Sequence, residues 1–109
     1  MANPARGEVW LTDLGYVAKV RPCLVLSVPF VGDERSLVTL VPHTASPRSS
    51  RFAVPLALPF PRPGVFDAQS LVTVPAVKLL RRPGTLSGQH VASVEAAVAA
   101  WLALRLPPP

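Results

Sequence analysis

Short apolar runs, broken by proline, set the pattern of this chain. "GEVWLTDL" (7–14) mixes polar and apolar positions and reads as a first strand. "RPCLVLSV" (21–28) is almost continuously apolar and predicts a buried strand. "VGDERS" (31–36) is a polar turn signalled by Gly32–Asp33, and "LVTLVPHTAS" (37–46) is the next strand. A basic, Ser-rich loop, "SPRSSR" (46–51), separates it from "FAVPLAL" (52–58), a strand that Pro55 assigns to an edge or a bulge. "PFPRPG" (59–64) is a stiff loop. "SLVTVPAVKLL" (70–80) is the last strand, kinked or bulged at Pro75, and "RRPGTLSGQ" leads from it to a helix over 88–104. Ser87 is its N-cap, and Val91, Val94, Val98, Trp101 and Leu102 recur at helical spacing to lie on the strands. "PPP" at 107–109 ends the chain as a frayed tail. The order of elements predicts a mostly β fold with one C-terminal helix, a small barrel or half-open sheet, in a single domain spanning 1–109.

Composition narrows the class. Half of the 109 residues are hydrophobic and only 16% are charged, below the ~25% of an average globular chain. That balance suits a dense core or a permanent partner surface, and an obligate homodimer is expected. Eleven Lys/Arg against six Asp/Glu leave a net charge of +5, which favours a polyanionic partner: nucleic acid or an acidic protein segment. The single cysteine, Cys23, has apolar neighbours and reads as a buried thiol in a reducing compartment. One Cys and two separated His make no metal cluster, so neither metal nor cofactor is expected. "MANPARGEVW" has no apolar signal core and no run reaches ~20 residues, so a cytoplasmic protein with no membrane segment is expected.

"KVRPCLVLS" (19–27) is the anomaly in this pattern, because it sets Arg21 at the mouth of a core strand. "RGEVWLTDLG", then "VRPCLVLS", then "LVTLVPHTAS" resemble the MazF/PemK family of toxins from bacterial toxin–antitoxin pairs. "GVFDAQSLVTVPAVKLLRRPGTLS" and the closing helix fit the same pattern, so the resemblance spans nearly the whole chain. It implies a compact SH3-like barrel of the CcdB/MazF type with a C-terminal helix, paired in a two-fold homodimer. It implies metal-independent, sequence-selective cleavage of single-stranded RNA such as mRNA. It also implies an acidic antitoxin whose extended tail fills the RNA groove. The catalytic pair implied is Arg21 and Thr44.

That chemistry follows from the residue types. An RNA strand supplies its own nucleophile, the 2′-hydroxyl, so the protein must supply position and positive charge. The planar guanidinium of Arg21 binds two phosphate oxygens at once, and the Thr44 hydroxyl adds a neutral donor. Strand alternation puts Thr44 on the face of Val38, Leu40 and Pro42. His43 has the acidity of a general base, near ~6.5. Regular geometry points it to the opposite face unless Pro42 marks a bulge or strand end. The competing reading is a hydrogen-bonded histidine at the groove or dimer interface.

Further RNA-binding candidates flank the pair. Glu8 is placed to contact Arg21 or to serve as an ordinary first-strand carboxylate. Trp10 is either core or a platform for a stacked base. Lys19, Arg48 and Arg51 are positioned for phosphates, with Ser46, Ser49 and Ser50 as hydrogen-bond donors, or else form a solvated basic loop. Asp67 and Gln69 either read base edges or cap a turn. His90 is expected to be exposed, and Arg81 and Arg82 to meet the antitoxin. Two features depart from the family pattern: the loop "GYVAKV" (15–20) is short, and Pro75, Ala76 and Lys78 stand where many relatives carry an Asp–Gln pair followed by Arg. Other readings of the sequence are a gyrase-binding toxin of the same fold, acting through its C-terminal helix without enzymatic activity, and an inactive small-barrel binding module.

Overall fold

The computed structural model describes residues 3–15, 19–46, 49–59 and 63–105. Among these residues seven strands precede one helix: β1 (Glu8–Asp13), β2 (Val20–Val25), β3 (Leu37–Thr44), β4 (Ala53–Pro55), β5 (Val65–Asp67), β6 (Val72–Pro75), β7 (Leu79–Thr85) and α1 (Gly88–Leu102). They form one antiparallel sheet in the order β4-β5-β3-β2-β1-β7, with β6 also paired to β3. This is the expected mostly-β small-barrel class with a C-terminal helix, but among the described residues the hydrogen-bonded path ends at β4 and β7 and does not close. Pro55 lies on terminal strand β4, where a missing N–H is tolerated.

Both faces of the sheet are covered, which explains the unbroken apolar run of β2. Leu24 joins Val9, Val41, Phe66 and the buried face of α1 in one core. Its neighbours Cys23 and Val25 point the other way, into a second core with Val38, Leu40, Val74, Ala76 and Leu79. Phe66 is 1% exposed, and truncating it to Ala would cost ~3–5 kcal/mol. Arg6 ties the helix to the sheet, donating to the Leu26 carbonyl (2.6 Å) and pairing with Glu95 of α1.

At Pro42 the strand keeps the regular geometry expected of it. There is no bulge and no strand end there: Pro42 is inside β3, opposite Cys23. Leu26 N–H donates to the Thr39 carbonyl, so by alternation residues 39, 41 and 43 direct their backbone groups toward β2, and Pro42 directs its nitrogen away. On that far side β6 pairs no further than Leu40 and β5 begins at His43. Pro42 therefore occupies the gap between two successive partners of β3, where no ladder donor is required.

The expected last strand over 70–80 is two strands. β6 ends at Pro75, a 3₁₀ turn over Ala76–Lys78 follows, and β7 continues through residues expected to lead into the helix. Pairing with β1 shifts register between Val9 and Leu11 and again between Leu11 and Thr12. Each shift leaves one extra residue on β7, and the first bulge accommodates Pro83. The short strand β5, with a 3₁₀ turn over Ala68–Ser70, was not expected. The other strands are shorter than the apolar runs that predicted them. Helix α1 starts as expected, with Ser87 Oγ accepting from His90 N–H at 3.2 Å. It ends at Leu102, two residues early. Ala103 turns left-handed at φ 56° and Leu104 N–H reaches back to the Ala99 carbonyl. Val91, Val94 and Val98 are buried as expected, together with Ala97 and Ala99; Trp101 also meets the sheet, edge-on against Phe52 at 5.3 Å, though 43% exposed, whereas Leu102 is 45% exposed. The tail at 107–109 lies outside the described residues.

Candidate active site

Antiparallel partners share a face, so the pairings locate the site. Arg21 is opposite Thr12 of β1, and Thr44 is opposite Val65 of β5. Cys23 is opposite Pro42, so continuing that register two residues brings Arg21 opposite Thr44. Ala53 is opposite Asp67, and continuing the β3–β5 register one residue sets Asp67 beside Pro42. Arg21, Pro42, Thr44, Val65 and Asp67 therefore project from one face, the side of the second core. They border a cleft of about 430 Å³, together with Leu14, His43, Ser46, Ser50, Ala53, Gln69, Ser70 and Val72. The cleft opens where β3 passes from β6 to β5.

Arg21 is half-buried at the start of β2. Two residues along the same strand and on the same face, Cys23 is fully buried, and burial pushes its thiol pKa up to about 12. Thr44 ends β3, and its hydroxyl oxygen accepts the Ser46 N–H at 3.2 Å. Accepting that bond leaves the hydroxyl its own proton as a donor and one further acceptor position. Gly64 lies against both Thr44 and His43, where a side chain would meet their atoms.

His43 borders the cleft, but its ring belongs to the other face. It is 6% exposed and packs edge-on against Phe66 of the first core, with centroids 5.1 Å apart. Burial first, and the Arg21 charge second, hold its pKa below the ordinary histidine value. The ring is thus kept neutral at pH 7.

The remaining candidates divide. Ser46, Asp67 and Gln69 border the cleft with Arg21 and Thr44, and Ser50 joins them. Asp67 caps the 3₁₀ turn: Oδ1 accepts the Gln69 N–H at 3.1 Å and Oδ2 accepts the Ser70 hydroxyl at 2.8 Å. The turn-capping role expected of it is present, on the wall of the cleft. Glu8 does not reach Arg21. It stands four residues along β1 from Thr12, ~13 Å away at strand rise, and accepts from Ala5 N–H, Trp10 Nε1 and Arg82. Burial would raise its pKa, but those three bonds together hold it below the usual carboxylate value. Trp10 is half-buried against the second core, away from the cleft, and Arg82 is committed to Glu8. Lys19, Ser49 and Arg51 are exposed and are not among the cleft's lining; Arg51 instead covers the Phe52 ring at 4.5 Å. Arg48 and residues 16–18 of the 15–20 loop lie outside the described residues. Pro75, Ala76 and Lys78 do not line the cleft either: Ala76 is buried in the second core, and the corresponding wall is Asp67, Gln69 and Ser70. Ser70, Leu14, Val72 and Gly64 were not anticipated; for Ser70 the signal was its position three residues after Asp67, the spacing of a capped turn.

Among the described residues no three His, Cys, Asp or Glu side chains gather as a metal site, and no helix is long and apolar enough to cross a membrane.

Comparison with known proteins agrees with this architecture. Residues 5–102 match the model of the PemK-like, MazF-like toxins of type II toxin–antitoxin systems, and the chain belongs to that family. Among solved structures, an endoribonuclease in complex with its cognate antitoxin from Mycobacterial species is 25% identical, with TM-score 0.78 over 98% of this chain and 100% of that one. An endoribonuclease from Mycobacterial species is 24% identical, with TM-score 0.79 and 98% of each chain covered. MazF of Deinococcus radiodurans, in its MazE–MazF crystal form II, is 20% identical, with TM-score 0.78 over 96% of this chain and 100% of that one. No curated protein sequence matches the chain.

Proposed function

We propose that this protein is a sequence-selective endoribonuclease toxin that cleaves single-stranded RNA without a metal ion. The observation that carries the reading is the convergence of Arg21 and Thr44 on one face of neighbouring strands, at the rim of a cleft large enough for a nucleotide. Family membership and the 25%-identical endoribonuclease support it. In the reaction the 2′-oxygen bonds to the adjacent phosphorus as the bond from phosphorus to the 5′-oxygen breaks. The products are a 2′,3′-cyclic phosphate and a 5′-hydroxyl, and the proton lost by the nucleophile is balanced by the one gained by the leaving oxygen. Arg21 neutralises the charge that builds on the phosphoryl oxygens, and Thr44 donates to one of them. His43, with its ring on the opposite face, holds the end of β3 in place and so positions Thr44.

The same reading makes the protein a cytoplasmic homodimer held inactive by an acidic antitoxin. Its net charge of +5 suits such a partner, and the 25%-identical endoribonuclease was solved in complex with its cognate antitoxin. A purely protein-binding toxin leaves the cleft and its Arg21–Thr44 rim without a task. Primer extension on a long mixed RNA decides. Purified protein is expected to give discrete stops in EDTA, unchanged by added magnesium and absent with Arg21→Ala. Uncut RNA in both buffers overturns the reading.

A further inference from the structure

The cleft has two chemically different ends. Among its described lining residues Arg21 is the only Lys or Arg and Asp67 the only Asp or Glu. A carboxylate in the groove of a protein that binds a polyanion works against phosphate binding. It helps only where the ligand presents N–H groups and no charge, which on RNA means the edge of a base. Resting on the endoribonuclease reading, we propose that Asp67 selects a guanine at one fixed position of the RNA.

The hydrogen-bond inventory of Asp67 points to that base. Each carboxylate oxygen accepts one bond from within its turn, from Gln69 N–H and from the Ser70 hydroxyl. Each therefore keeps acceptor capacity, and the two internal bonds fix the plane of the group. A fixed carboxylate with two open acceptors matches two parallel donors on one edge. In a single strand the Watson–Crick edge is free, and guanine alone offers adjacent N1–H and N2–H donors there. Adenine and cytosine offer one amino group beside a ring-nitrogen acceptor. Uracil offers one N–H between two carbonyl oxygens, which a carboxylate repels. Gln69, exposed on the same wall, carries an amide donor for the guanine O6. Rows of cross-strand partners put Asp67 two residues from the Arg21–Thr44 row, ~7 Å at strand rise, the scale of a base beside its own phosphate.

The test is the sequence of RNA ends released from a randomised single-stranded pool by the wild-type protein and by Asp67→Asn. Asparagine keeps an oxygen for the Gln69 N–H but loses the second acceptor. Expected for the wild type are guanine enriched at one position, and cleavage slowed about tenfold when that guanine is replaced by inosine, which lacks the N2 amino group. In Asp67→Asn both the enrichment and the inosine penalty are expected to disappear. A wild-type motif with no guanine, an absent inosine penalty, or a guanine preference intact in a folded Asp67→Asn overturns the proposal. The inosine comparison needs only the wild type and stands if the variant does not fold. If no RNA is cut, the endoribonuclease reading fails, and Asp67 is judged by binding. Fluorescence anisotropy then compares 2′-O-methyl heptamers of uridine carrying one central guanine or one central inosine. About tenfold tighter binding of the guanine heptamer supports the assignment, and equal or absent binding overturns it.

Discussion

Gly64 packs directly on Thr44: a methyl group at its Cα would overlap the Thr44 carbonyl oxygen and stand 2.8 Å from His43 Cε1. The obstacle on one side is backbone, so β5 and the end of β3 would have to move apart. Gly64→Ala is expected to lose ~1–3 kcal/mol of stability, read by urea unfolding. Because the displaced strand end carries Thr44, RNA cleavage is expected to fall as well, with kcat affected more than KM. A variant with wild-type stability and rate would show that the packing gives way without consequence.

On the proposed function, the role of Arg21 rests on its planar fork as well as its charge. Arg21→Ala is expected to abolish cleavage while the circular dichroism spectrum and melting temperature stay near those of the parent. Arg21→Lys keeps the charge but loses the bidentate geometry, so only a small part of the rate should return. Full activity in the lysine variant would reduce the role of Arg21 to simple electrostatics.

The proposed function makes Thr44 a donor to the phosphate; its oxygen accepts the Ser46 N–H. Thr44→Val, nearly the same shape, is expected to lower kcat by ~10²–10³. Thr44→Ser restores the hydroxyl and is expected to recover most of that loss. Equal rates for the valine and serine variants would leave Thr44 a structural residue only.

His43 links the site to pH. Its folded pKa is lowered, by burial and then by Arg21, so the unfolded chain takes up the proton first as pH falls. The stability that comes from keeping the ring neutral is complete above the unfolded value of 6.5 and is lost as pH falls from there through the folded value. Urea midpoints should therefore decline below pH 6.5 in the parent, and more gently in His43→Gln. The acidic limb of the pH–rate profile is expected to keep its position in His43→Gln, measured where both proteins remain folded. A shifted limb would make His43 the general base.

Cys23 is fully buried and its thiol is pushed up to about 12, so it is expected to resist thiol reagents at about pH 8 until the protein unfolds. Prompt labelling of the native protein would show that the strand opens locally.

Much of this architecture is legible in the chain because it rests on local rules. The apolar run of β2, the cap at Ser87 and the edge position of Pro55 each follow from one residue's chemistry. What is not legible depends on partners distant in sequence. A strand through Pro42 is legible, but why it tolerates a proline is not, because nothing nearby indicates that β3 changes neighbours at that point. β7 reads as a leader to the helix because Arg81, Arg82 and Pro83 have little strand character of their own; they are held by β1, across bulges. At the site, Arg21 and Thr44 can be named from a motif, whereas the separation of Glu8 and Trp10 from the cleft is a matter of register along β1. Trp101 follows the helical period and packs edge-on against Phe52 of the first core, with part of its ring left at the surface because it lies in the last turn of the helix.

The pairing of β1 with β7 also bears on how the protein is made. Glu8 meets Arg82 across 74 residues of sequence, and β1 takes its second neighbour only when residues 79–85 arrive. Until then the hairpin carrying Arg21 has an open edge, and the helix that seals the first core is still to come. A ribosome that stops short of residue 85 therefore releases an unfinished sheet. Such a fragment has an exposed strand to aggregate through or be degraded by, and no completed scaffold behind its arginine.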